Sequence, residues 1–118
     1  LKRDEYLERN GDVRSIMVTE LGFTSASGEK LQAAAFAYCY YIIEANPYVD
    51  AFIMNRQTDA LEEVKQGLSF GIYGLDQTPK YIFDTFKYID TDEAEEHTEF
   101  MLNILGAESL EEALSWAQ

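Results

Sequence analysis

Residues 15–23, Ser-Ile-Met-Val-Thr-Glu-Leu-Gly-Phe, form a short apolar run that ends in a carboxylate with a glycine two positions on. Alternation along 13–21 sets Ile16, Val18 and Glu20 on one face and Met17, Thr19 and Leu21 on the other, so both faces carry apolar residues. A strand covered on both sides reads this way, as strands of parallel sheets do. A second run, 49–55, alternates Ala51, Ile53 and Asn55 against Phe52 and Met54. Between the two lie Leu31, Ala34, Ala35, Tyr38, Ile42 and Ala45 at helical spacing, stopped by Asn46-Pro47. Strand, helix, strand in this order makes a parallel pair joined by a crossover helix, so the fold class is α/β.

Local signals extend the pattern along the chain. Ser27 is the expected N-cap of the first helix, over 28–45, with Glu29 in its first turn where a negative charge suits the helix dipole. A long connection, 56–77, follows the second strand and holds a short acidic helix around 59–66 and an aromatic segment, Leu68-Ser69-Phe70-Gly71-Ile72-Tyr73-Gly74. Connections of that length in small domains usually carry function. Thr78 as cap and Pro79 as first residue predict a helix to about residue 90, with Tyr81, Ile82, Phe86 and Ile89 toward a sheet. Asp92 with Glu95 predicts the start of a helix that ends before Gly106, and Ser109 with Glu112 the start of a last short one. Three segments result: 1–11, the end of a preceding helix and a turn at Asn10-Gly11-Asp12; 12–91, two βα units; and 92–118, a C-terminal helical extension.

Composition narrows the partners. With 118 residues, 47% of them hydrophobic and 14% aromatic, the chain is one domain with ample material for a core. Nine basic against 22 acidic residues give a formal net charge of -13, which repels phosphate backbones and anionic lipids, so no nucleic acid and no membrane partner is expected. The longest apolar stretch, 31–43, is too short to span a bilayer. Cys39 is alone, which rules out an intrachain disulfide, and core packing is its expected role. The acidic stretch 90–99 around His97 lacks the spacing of a calcium loop and reads as solvated, and no Cys/His cluster marks zinc, so no metal is expected. Neither a glycine-rich phosphate loop nor a Gly-x-Ser-x-Gly elbow is present, and no cofactor is expected. The chain opens on Leu1 and a charged segment without a signal-peptide pattern, which reads as a piece of something longer.

Glu20 is the candidate catalytic residue. A carboxylate in its place also serves simply to cap a loop, but shared alternation with Ile16 and Val18 points it toward a covered interior at the strand's C-terminal end, where α/β active sites lie. The run Ile16-Met17-Val18-Thr19-Glu20-Leu21-Gly22-Phe23 resembles the seventh-strand motif of retaining (β/α)8 glycoside hydrolases, in which the Glu of a Thr-Glu-x-Gly run is the nucleophile. An Ala- and Tyr-rich helix, a strand ending in Asn55-Arg56-Gln57-Thr58-Asp59, the Phe70-Gly71-Ile72-Tyr73-Gly74 run and a helix over 80–88 follow in the matching order. Together they are similar to the C-terminal end of a bacterial family of uncharacterised glycoside-hydrolase-like barrels, over most of residues 12–118.

The resemblance implies the C-terminal quarter of a TIM-type barrel. It also implies a second carboxylate about 5 Å from Glu20 as acid/base, usually within an Asn-Glu pair on the fourth strand. This chain has no Asn-Glu dipeptide, and two strands cannot close a barrel of eight, so the isolated chain is expected to be inactive. Asn55, Arg56 and Tyr73 are the implied sugar contacts of the parent protein, acting on a β-linked polysaccharide; Phe70 and Trp116 are further aromatic candidates. At Asn55, Arg56 and Asp59 the competing reading is a solvated loop with Asp59 as helix cap. The implied parent is secreted or displayed on a bacterial cell surface. Open strand edges make a homo-oligomer or strand exchange the expected state of the fragment. The alternative class is a non-enzymatic acidic α/β interaction module; a carbohydrate-binding module using Tyr73 and Trp116 fits less well, since such modules are usually all-β.

Overall fold

A computed structural model describes residues 15–117. The expected helix and turn of 1–11 and the first positions of the 13–21 strand lie outside the described residues. The chain forms a small mixed α/β unit in which β1 (Ile16–Leu21) and β2 (Val49–Met54) pair in parallel as a two-stranded sheet, joined by α1 (Glu29–Glu44). After β2 come α2 (Leu61–Val64), α3 (Ile82–Tyr88), α4 (Ala94–Thr98), α5 (Phe100–Leu105) and α6 (Leu110–Ser115).

The core gathers around α1. Ala33, Ala34, Phe36 and Ala37 are buried, and three alanines in one turn let neighbours approach from two sides at once. On one side Phe36 stacks on Phe52 of β2 at 5.9 Å; on the other it meets Phe86 of α3 at 5.4 Å. Leu31, expected in the buried stripe, is 48% exposed because the enclosed arc of the helix is turned toward α3, α5 and α6. The helix after Pro79 accordingly packs on α1 rather than on the sheet, burying Ile82 and Ile89 while Tyr81 and Phe86 remain half-exposed. Tyr38 donates its hydroxyl proton to the Ala113 carbonyl at 2.6 Å, and Tyr41 shares a 3.0 Å hydrogen bond with Thr98, so the C-terminal helices are stitched to the same scaffold.

Caps differ from expectation where a distant group competes. Gly28, not Ser27, is the N-cap of α1, at φ 137°, a conformation that a side chain at this position would disfavour. The Glu29 carboxylate reaches across to accept from the Tyr81 backbone N–H at 2.9 Å, covering the start of α3 in place of Thr78. Thr91, not Asp92, accepts from the Glu93 N–H, and the expected long helix divides at Glu99 into α4 and α5. The Ser109 signal holds: its Oγ accepts from the Glu112 N–H at 3.1 Å while Glu112 reaches back to the Glu108 N–H at 2.7 Å.

Among the described residues only one face of the sheet is covered. Phe52 and Met54 pack toward α1, whereas Met17 is 60% and Ile53 50% exposed on the other face. A two-stranded parallel sheet with a bare apolar face is rare, because parallel sheets ordinarily have both faces covered.

Candidate functional site

The register of β1 decides where Glu20 points. Val18 stands beside Phe52 and Leu21 beside Met54, so β1 carries one residue more than β2 over this span. Such a bulge breaks the two-residue alternation. Val18 and Leu21, like their partners Phe52 and Met54, are partly buried, whereas Met17, Thr19 and Glu20 are exposed. The carboxylate is exposed, not directed into a covered interior as simple alternation implies.

Asn55 continues the pairing one step beyond β2, donating its backbone N–H to the Leu21 carbonyl at 2.8 Å. The two strand exits approach so closely at Gly22 that a Cβ there would stand 2.6 Å from the Asn55 carbonyl oxygen and 3.2 Å from the Phe70 ring. Only glycine fits. The Asn55–Arg56 peptide is cis. Glu20, Asn55 and Arg56 therefore share the C-terminal end of the sheet, and Arg56 Nη1 holds Glu63 Oε2 of α2 at 2.9 Å with both side chains partly exposed.

Tyr73 reaches this end through its backbone. Its N–H donates to the Gln57 carbonyl at 2.9 Å, its carbonyl accepts from the Asp59 N–H at 3.0 Å, and it stands between Thr58 on one side and Pro79 on the other. Its ring lies edge-on to Phe83 at 5.5 Å, half-buried against the core. The aromatic run is thus a laced segment that fixes the loop after β2 rather than a free strap. Trp116, the further aromatic candidate at the end of α6, leaves half its surface in solvent, and His97 stacks on Tyr88 at 4.3 Å.

The best-buried charges of this region are Asp59, expected as a solvated helix cap, and Lys80, which carried no expectation of its own. Lys80 Nζ lies 2.8 Å from Asp59 Oδ1 with both side chains over nine-tenths buried, and it also donates to Ser25 Oγ at 3.0 Å and to the Ser69 carbonyl at 3.2 Å. Asp59 Oδ1 accepts a further hydrogen bond from the Gly71 N–H at 2.7 Å, so it is a buried ion-pair partner and not the cap of α2, which begins after Ala60. Gln32 of α1 donates its amide to the carbonyls of Phe23 at 2.9 Å and Gly71 at 3.2 Å. One lysine and one glutamine thereby join the loop after β1 to the loop after β2. Partners 9 to 55 residues apart leave no local signature.

Among the described residues Cys39, Tyr40 and Lys87 are shifted above their ordinary values and Asp76 below. Burial raises the Cys39 thiol, in keeping with its place among α1's packed residues. The Thr78 N–H, 3.0 Å from Asp76 Oδ1, holds the Asp76 carboxyl below the usual range. Among the described residues no three His, Cys, Asp or Glu side chains converge as metal ligands would. No helix of the described residues is long and apolar enough to cross a membrane.

What these elements define is a βαβ unit that displays a carboxylate and a guanidinium at the C-terminal ends of two parallel strands, on a sheet of which the described residues leave one face bare. The chain belongs to a family of unknown function (DUF5722), which it matches over residues 1–113. Comparison with curated proteins and with solved structures gave no match.

Proposed function

We propose that this chain is the C-terminal quarter of a (β/α)8 glycoside-hydrolase-like barrel and carries the nucleophile, Glu20, of a retaining enzyme acting on a β-linked polysaccharide. One observation carries the reading: Glu20 is exposed at the C-terminal end of a parallel strand, just where a bulge interrupts the strand's alternation. In a closed barrel the helices lie outside, the opposite face lines the interior, and reacting groups sit at that end. Met17 and Ile53 then belong to the filled interior, and their exposure here reflects strands that this chain does not supply.

Chemically, a retaining glycosidase needs Glu20 ionised to attack the anomeric carbon, while a second carboxyl protonates the leaving oxygen and later activates water. That second group comes from elsewhere in the barrel. Arg56 and Asn55, on the neighbouring strand end, offer donors to sugar hydroxyls, and Tyr73 offers a ring held in place by Phe83. The test is to express the whole reading frame that contains this chain. Hydrolysis of a β-glycan that falls at least about a thousandfold in Glu20→Gln supports the reading; hydrolysis that survives the substitution overturns it.

The bare apolar face also fits a second reading, a non-enzymatic α/β module that docks a partner or a second copy of itself on its sheet. Light scattering across a concentration series tests this. A monomer at every concentration removes self-association through the sheet.

A further inference from the structure

We infer that this site takes neutral rather than acidic sugars, and that Glu63 enforces the choice by occupying the charge of Arg56. The inference rests on the glycosidase reading above and concerns which class of glycan that site accepts.

The residues between β2 and α3 include three bases, Arg56, Lys65 and Lys80. Each already has a carboxylate at hydrogen-bond distance: Glu63 at 2.9 Å from Arg56, Glu62 at 2.9 Å from Lys65 and Asp59 at 2.8 Å from Lys80. Lys80 is sealed in the interior by that contact, and Lys65 is paired on the exposed helix α2. Arg56 alone stands at a strand tip. Its guanidinium keeps donors that suit hydroxyls, but its charge is matched by Glu63. A uronate arriving there would set a second carboxylate beside Glu63 and near the strand end that carries Glu20. Among the described residues Glu20, on the neighbouring strand end, forms no ion pair, so the local surplus is negative, as is the chain's net charge of -13. Like charges at this spacing disfavour an anionic ligand, while a neutral polyol meets donors without a charge penalty.

The specificity device is therefore the Arg56–Glu63 pair, with Glu63 acting through Arg56 and touching no substrate itself. Removing the Glu63 charge frees the guanidinium for a carboxylate, the partner its donor fork suits best.

The experiment titrates the protein encoded by the whole reading frame that contains this chain, by NMR chemical-shift perturbation at low salt, with cellohexaose and xylohexaose as neutral probes and with hexagalacturonate as the acidic one. Neutral oligosaccharides are expected to shift resonances around Asn55, Arg56 and Tyr73, and hexagalacturonate to bind more weakly. In Glu63→Gln, hexagalacturonate affinity is expected to rise about threefold to fivefold and to fall back as salt is raised, the scale of one partly exposed charge contact. The double variant Arg56→Gln with Glu63→Gln is expected to lose that gain, which separates a freed arginine from a general change of surface charge. Hexagalacturonate binding to the unaltered chain as tightly as the neutral probes, or no gain in Glu63→Gln, overturns this inference and leaves the glycosidase reading standing. Silence with all three probes removes sugar recognition at this end of the sheet, and both fall together.

Discussion

Replacing Lys80 by Met is expected to be the most damaging single change that leaves side-chain volume nearly constant. The substitution strands Asp59, whose side chain is 7% exposed, with the Gly71 N–H as its remaining partner, and it also removes the donor to Ser25 and Ser69. Breaking one side of a buried ion pair costs about 3–5 kcal/mol, against a total stability of about 5–15 kcal/mol for a small domain. With a urea slope of about 1.5 kcal/mol/M, the unfolding midpoint should fall by about 2–3 M. The assay is urea denaturation followed by far-UV circular dichroism and by the fluorescence of Trp116, the single tryptophan. Adding Asp59→Leu to Lys80→Met removes the stranded charge as well, so the double variant should lose less than the sum of its parts, with a coupling of about 2 kcal/mol or more. A loss below about 1 kcal/mol for Lys80→Met, or strict additivity, is the behaviour of a solvated pair and refutes the claim that these charges lock the two loops together.

Gly71→Ala should destabilise by about 1–3 kcal/mol in the same assay, since its Cβ would collide with the backbone at Asp59 and Tyr73 and come within 2.7 Å of the Thr58 carbonyl carbon. Ser109→Ala should cost about 1 kcal/mol and show as faster amide exchange confined to α6, because it removes the acceptor for the Glu112 N–H. The Cys39 thiol should react with iodoacetamide at pH 8 more slowly than a free thiol and titrate above its ordinary value of 9.0; reaction at the rate of a small-molecule thiol contradicts its burial. Asp76 should titrate below its ordinary value of 3.8 by NMR. Because the folded-state value is the lower one, the unfolded chain binds more protons between the two, so the stabilisation of this turn is present at neutral pH and is lost as pH falls through the folded value.

Alternation and helical spacing were enough to place β1, β2 and α1, because each depends on residues a few positions apart. Ser109 and Glu112 were legible for the same reason: a capping box closes over three residues. What escaped were features whose partners are remote. The bulge that interrupts alternation before Leu21 exists only in the pairing with β2, so simple alternation missed that Glu20 is exposed. Likewise, Glu29 covers the start of α3 from 52 residues away and Asp59 meets Lys80 across 21. Nothing in the immediate surroundings of any of these residues distinguishes them from ordinary surface charges. Leu31 shows the same limit in the core, since which arc of α1 is enclosed depends on where α3, α5 and α6 settle.

The most direct measurement labels the nucleophile. The protein encoded by the whole reading frame is incubated with a 2-deoxy-2-fluoro β-glycosyl fluoride, which traps the covalent glycosyl-enzyme, and the labelled peptide is sequenced by mass spectrometry. A retaining barrel completed around this chain places the sugar on Glu20. A label on another carboxylate, or glycan hydrolysis that continues with Glu20 unmodified, contradicts that assignment.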